Sequence, residues 1–155
     1  MNGNIMKSLF DSDTYNEVLR RIEQLDEHKQ PLWGKMSVSE MLNHSQRPLK
    51  VANGRMTFTE NPNLVKKALL RLFKKQMYND TPWKQNIPTV KDFKVVEADE
   101  FHKEKQQLID CVNEFQKKDL NLHWPEHPFF GKFTTEQWGK MQYKHLDHHL
   151  RQFGV

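Results

Sequence analysis

Apolar residues recur at helical spacing in five stretches of the chain, separated by connections rich in proline, glycine and asparagine. Tyr15, Val18, Leu19, Ile22 and Leu25 step through one helix face, which predicts a helix over about residues 14–27, with Asp13 as N-cap and Pro31 beyond its end. Val38, Met41, Leu42, Ser45, Leu49 and Ala52 share a face of a second helix. Ser37-Val38-Ser39-Glu40 opens it as a capping box, and Asn53-Gly54 closes it. Pro48 lacks the amide that would bond one turn back, so a kink is expected there. Leu64, Val65, Ala68, Leu69, Leu72 and Phe73 form the apolar stripe of a third helix over about residues 63–77. An irregular stretch with Pro82 and Pro88 follows, with a short extended piece expected over about residues 93–96. Phe101, Leu108, Val112 and Phe115 face inward on a fourth helix over about residues 99–117. After Pro125, Pro128 and Gly131, a last helix runs from Thr134 or Thr135 to about Gln152, with Gly154 suited to its C-cap. Four long amphipathic helices and a long central crossover carrying an extra helix describe an all-α four-helix bundle. No repeat, low-complexity tract or linker divides it, so residues 1–155 are read as a single domain.

Composition narrows the class. A chain of 155 residues with 36% hydrophobic and 28% charged content can bury a core without staples. Cys111 is the lone cysteine, which rules out an internal disulfide and suits a reducing cytoplasm. Met1 to Lys7 lacks the apolar core of a secretory signal, and no run approaches the ~18 residues that span a bilayer. The net charge of +4 comes largely from Lys66, Lys67, Arg71, Lys74 and Lys75. Without zinc-finger spacing, a Gly-rich phosphate loop or an RNA-binding aromatic motif, that cluster reads as a solvated helix face, and neither nucleic acid nor membrane is expected as a partner.

The last helix carries the chemistry. With His145 at zero on a helical wheel, His149 falls near ~40°, Phe153 near ~80° and Leu150 near ~140°, while Lys140, Lys144, Asp147 and Arg151 gather near ~200–260°. His145 and His149 therefore project toward the apolar side, one turn apart, where two imidazoles can face a common ion. His148, near ~300°, makes a poorer pair with His145. His44 lies at the edge of the buried stripe of the second helix and could meet the pair across the interior. Burying three neutral imidazoles together is costly unless partners or a shared cation take up their lone pairs. Three histidines without a fourth protein ligand leave positions for water or substrate, the arrangement of catalytic zinc; nickel, iron or copper would also suit the set.

The segments Lys35-Met36-Ser37-Val38-Ser39-Glu40-Met41-Leu42-Asn43-His44 and Tyr143-Lys144-His145-Leu146-Asp147-His148-His149-Leu150-Arg151-Gln152-Phe153 resemble the DinB/YfiT-like superfamily. Together with His127-Pro128-Phe129-Phe130-Gly131, they are most similar to its DUF1569 branch. The resemblance covers most of the chain. It implies an up-down-down-up bundle and a metal held by one histidine of the second helix and an HxxxH pair of the last, here His44, His145 and His149. Pro48 and the basic third helix depart from the wider superfamily pattern.

Around this triad, His127 is a candidate acid/base or substrate contact, though its proline and glycine neighbours equally suit a turn. His148 and Gln152 are candidates for hydrogen bonds that orient a ligand. Glu40 is accounted for by capping and Asp147 by the solvent side. Trp33, Trp124 and Trp138 suit core or pocket wall. The resemblance implies a metal-dependent enzyme using zinc or nickel, with iron as a further option, acting on a small molecule with water or a low-molecular-weight thiol. The alternatives are a non-catalytic metal-binding or stress-response protein and a protein-interaction module. A homodimer is compatible with helix faces of this kind.

Overall fold

The computed structural model describes residues 7–155; the leader reading of the first residues falls largely outside that range. The described chain is all-helical: α1 Ser12–Glu23, α2 Val38–Ala52, α3 Leu64–Leu72, α4 Phe101–Gln116 and α5 Thr135–Gln152. Two 3-10 turns, Lys74–Met77 and Lys91–Phe93, lie between α3 and α4, and no strand forms among the described residues. The bridge His127–Gly131 is the one isolated β-pairing there.

Helices α1, α2, α4 and α5 hold the core. Both α1 and α2 pack against α4 and α5. Val18 and Ile22 of α1, Met41, Leu42 and Leu49 of α2, Leu108, Val112 and Phe115 of α4, and Trp138, Leu146 and Leu150 of α5 are buried in one cluster. The expected capping box at Ser37 is present: Glu40 N–H donates to Ser37 Oγ (3.2 Å) and Ser37 N–H to Glu40 Oε2 (2.7 Å). Thr134 and Gln137 build a second box that starts α5. Pro48 sits inside α2, which continues through it as one element to Ala52. The turn beginning at His44 thereby lacks the i→i+4 bond that an amide at position 48 would give to the His44 carbonyl.

Three expectations need correction. α1 begins at Ser12, with Asp11 rather than Asp13 at its N-cap, and ends at Glu23. The third helix stops at Leu72, and the chain tightens into a 3-10 turn before Met77. The extended piece expected over residues 93–96 does not include Phe93, which ends the Lys91–Phe93 turn; Lys94 is extended (φ −69°, ψ 129°) but belongs to no strand. The stripe of α3 also faces outward: Leu64, Val65 and Leu72 are 84%, 79% and 77% exposed. Leu70 of the helix, and Phe73, Gln76 and Met77 after it, reach the cavity beside the histidines. Amphipathic spacing fixes which residues share a face; it does not say which face meets the core.

Candidate metal centre

The capping box starts α2 so that His44 arrives two turns later beside the core, and α5 brings His145 and His149 one turn apart against it. The three rings are buried, and each offers a nitrogen such that the three atoms lie within 4.8 Å of one another. Ring centroids are separated by 5.0 Å (His44–His145), 4.7 Å (His44–His149) and 4.7 Å (His145–His149). His148 is buried at the edge, its ring 5.0 Å from that of His149 and 5.8 Å from those of Trp33 and Trp83. It does not belong to the cluster of potential ligands.

Hydrogen bonds determine where the lone pairs point. His44 Nδ1 lies 2.8 Å from the Phe93 carbonyl, which can only accept, so Nδ1 carries the hydrogen and Nε2 the lone pair. Gln152 Nε2 donates to the Trp33 carbonyl at 2.8 Å, which turns its Oε1 toward His149 Nδ1, also at 2.8 Å. His149 Nδ1 must therefore donate, and its Nε2 is left with the lone pair. His145 Nε2 stands 3.1 Å from His44 Nε2, while His145 Nδ1 is buried without a partner. Tetrahedral zinc with bonds of about 2.0–2.1 Å places its nitrogen ligands about 3.3 Å apart, close to the observed Nε2–Nε2 spacing. The donor set thus fits a divalent cation, with backbone and amide carbonyls anchoring two of the three imidazoles from behind.

Burial keeps these rings neutral. It pushes His44 down and His145 well below the ordinary histidine value, while His149 falls to about 3, with neighbouring imidazoles adding to the effect on the last two. At neutral pH no proton competes for the nitrogens.

A cavity of about 380 Å³ opens beside the triad. Its walls come from α2 and α5 (Pro48, Trp138, Met141) and from α3 and the segment between α3 and α4 (Leu70, Trp83, Ile87, Phe93). His127 also lines it, its ring 6.2 Å from that of Trp138 in α5. The Phe129 and Phe130 amides donate to His127 Nδ1 at 3.2 and 3.4 Å, so its hydrogen resides on Nε2, which has no protein partner among the described residues. Burial lowers this ring to about 4. The turn and the cavity contact, two readings of the His127 segment, thus coexist.

Other residues fall differently from their sequence reading. Lys144, on the charged side of the wheel, is 4% exposed; its ammonium donates to the Gln76 and Asn79 carbonyls and to Asn79 Oδ1 at 2.7, 3.0 and 2.7 Å. Asp147 pairs with Arg21 at 2.8 Å and Arg151 at 2.9 Å. Cys111 is buried, and Trp138 is buried as expected; Trp124 is half-buried and packed against the core, and Trp33 is half-buried. Trp83, which carries no periodic signal, stands 5.9 Å from the His145 ring. Gln152, a candidate for orienting a ligand, is the acceptor behind His149, whereas the Phe93 carbonyl behind His44 and the Trp33 carbonyl that holds Gln152 are backbone groups invisible to any residue-type motif.

The fold and site define an all-helical protein with three buried, converging histidines beside a cavity. The chain belongs to the family described as "Protein of unknown function (DUF1569)", which matches residues 6–154. No curated protein and no solved structure matches it.

Proposed function

We propose that this chain is a metal-dependent enzyme in which His44, His145 and His149 hold one divalent ion, zinc or nickel before iron. The reaction is of transferase or hydrolase type on a small molecule, with water or a low-molecular-weight thiol as nucleophile. The observation that carries this reading is the direction of the lone pairs: His44 and His149 commit Nδ1 to carbonyl oxygens and turn Nε2 toward the cluster. When bound, such an ion supplies Lewis acidity and lowers the pKa of a coordinated nucleophile. Gln152 and the Phe93 carbonyl hold two rings in the ligating tautomer. The apolar walls exclude water, and His127 presents an Nε2–H that stabilises charge growing on a substrate oxygen; with Nδ1 engaged by two amides it serves as a donor rather than a base.

The packing of α1, α2, α4 and α5 around one core supports the DinB-like up-down-down-up bundle as the architecture behind this site. A cavity beside three ligands supports an enzyme over a closed structural site, which would fill its fourth position with a protein side chain. The lone buried cysteine supports a cytoplasmic setting; among the described residues no helix is long and apolar enough to cross a membrane.

The test is metal content by mass spectrometry on protein purified without a histidine tag, beside His145→Ala and His149→Ala. The expected result is one ion per chain in the parent and none in either variant. A parent chain that stays metal-free after incubation with zinc and nickel would overturn the proposal.

A further inference from the structure

The cavity beside the triad has an unusual chemical balance. Not one Lys, Arg, Asp or Glu is among its lining residues. Its volume of about 380 Å³ sits at the small end of the ~300–1,000 Å³ typical of small-molecule sites. Phe58 joins its two ends: its ring lies 5.1 Å from Phe93, whose carbonyl anchors His44, and 5.2 Å from both Phe129 and His127. Trp83 closes the wall over His145. Among the other polar residues of the lining, Gln76 already engages its carbonyl with Lys144 and Trp83, while His127 offers a donor at Nε2.

In the metal-free chain a charged ligand would leave water for these walls with no charged lining residue to meet it, which is strongly unfavourable. A flat apolar ligand would instead stack or meet edge-on with Phe58, Phe129 and Trp83. One acceptor oxygen on such a ligand would satisfy the otherwise unpaired His127 Nε2–H.

We infer that the cavity takes a neutral, largely aromatic small molecule carrying a hydrogen-bond acceptor, seated among Phe58, Phe129 and Trp83 with that acceptor on His127. Its use as a substrate rests on the metal-site reading, whereas binding needs the cavity alone.

The test compares 2-naphthol, 2-naphthoate and naphthalene by tryptophan quenching and calorimetry at pH 7.5, using the full chain before and after chelator treatment. In the metal-free chain, 2-naphthol is expected to bind at least about 10-fold more tightly than 2-naphthoate, because the carboxylate loses its hydration without compensation. His127→Asn keeps an acceptor near the two turn amides but removes the Nε2–H. It should weaken 2-naphthol about 3–10-fold, the value of one neutral hydrogen bond, and leave naphthalene within 2-fold. Equal affinity for naphthol and naphthoate, or no naphthol binding, overturns the inference, even if the parent holds its ion. Naphthol selectivity in a chain that never takes up metal supports the inference while the enzyme reading fails.

Discussion

Gln152 fixes the tautomer of His149. Its amide nitrogen is committed to the Trp33 carbonyl at 2.8 Å, so its oxygen faces His149 Nδ1 at 2.8 Å and the imidazole lone pair lies on Nε2. Because the bond spans three residues of α5 and then reaches into the α1–α2 connection, the end of the last helix and that loop jointly aim one ligand. Replacing Gln152 by Leu removes the acceptor while keeping an apolar filler. Zinc affinity, measured by competition with a chromophoric chelator, is expected to fall about 10–100-fold, the usual loss when a partner behind a metal-binding histidine is removed. Unchanged affinity would mean that Gln152 only packs.

Gly34 makes that arrangement possible. Its φ is +82°, and a Cβ there would stand 2.6 Å from Gln152 Nε2. The glutamine could swing aside, but the swing would surrender its bond to His149. Gly54 is the internal control, with φ +74° and nothing within 4 Å of a Cβ. Alanine at either site should lower stability by about 1 kcal/mol through left-handed backbone strain. Zinc affinity should drop several-fold in Gly34→Ala and stay constant in Gly54→Ala.

Stability rests in part on Glu104, which is 1% exposed in α4. Its carboxylate accepts from Asn43 Nδ2 at 2.9 Å, Gln46 Nε2 at 2.6 Å and the Asp99 amide at 2.9 Å, tying α4 to α2. In Glu104→Leu those donors lose their acceptor in a dry environment, and unfolding free energy should fall by about 2–4 kcal/mol. Glu104→Gln keeps one acceptor oxygen and should lose less. Urea midpoints at constant m-value read both changes.

Glu104 also shows where the sequence stopped being readable. It lies three residues after Phe101 and four before Leu108, in register with the buried face, yet its charge marks it as surface. Lys144 was misplaced for the same reason, since a burial pattern read from residue type cannot anticipate acceptors supplied by another segment. His44, His145 and His149 were legible because helical spacing alone puts the last pair on the buried side and His44 at its edge. The orientation of α3 was not, because an amphipathic stripe is equally consistent with facing inward or outward. The cavity wall was legible only in part. Trp83, Ile87 and Phe93 come from an irregular stretch held by prolines and carbonyl bonds rather than by a repeating pattern.

Lys144 anchors that irregular stretch to α5 through the Gln76 and Asn79 oxygens, and its ammonium also lies 5.6 Å from the Trp83 ring centroid. Lys144→Met retains the apolar stem and removes every donor. Limited proteolysis should then cut within about residues 76–90 several times faster, with the helical core intact, because this segment opens locally without global unfolding. An unchanged cleavage rate would assign the segment's attachment to its apolar contacts alone.

His127 provides a pH signature separable from that of the triad. Burial holds its folded-state value at about 4 against an ordinary 6.5, and a proton on Nδ1 would also displace the Phe129 and Phe130 amides. Between those values the unfolded chain binds more protons. The contribution of this ring is therefore complete above about pH 6.5 and lost as pH falls toward 4. At pH 5 the loss amounts to about 2 kcal/mol. His44, His145 and His149 are depressed as well and steepen the profile in the same direction. The difference between the parent chain and His127→Asn isolates the single ring. In urea melts of chelator-treated protein at pH 7.5 and 5.0, the variant should lose about 2 kcal/mol less than the parent. Equal losses would show that His127 is free to protonate in the folded protein, and its role as a neutral Nε2–H donor to the cavity would fall with that result.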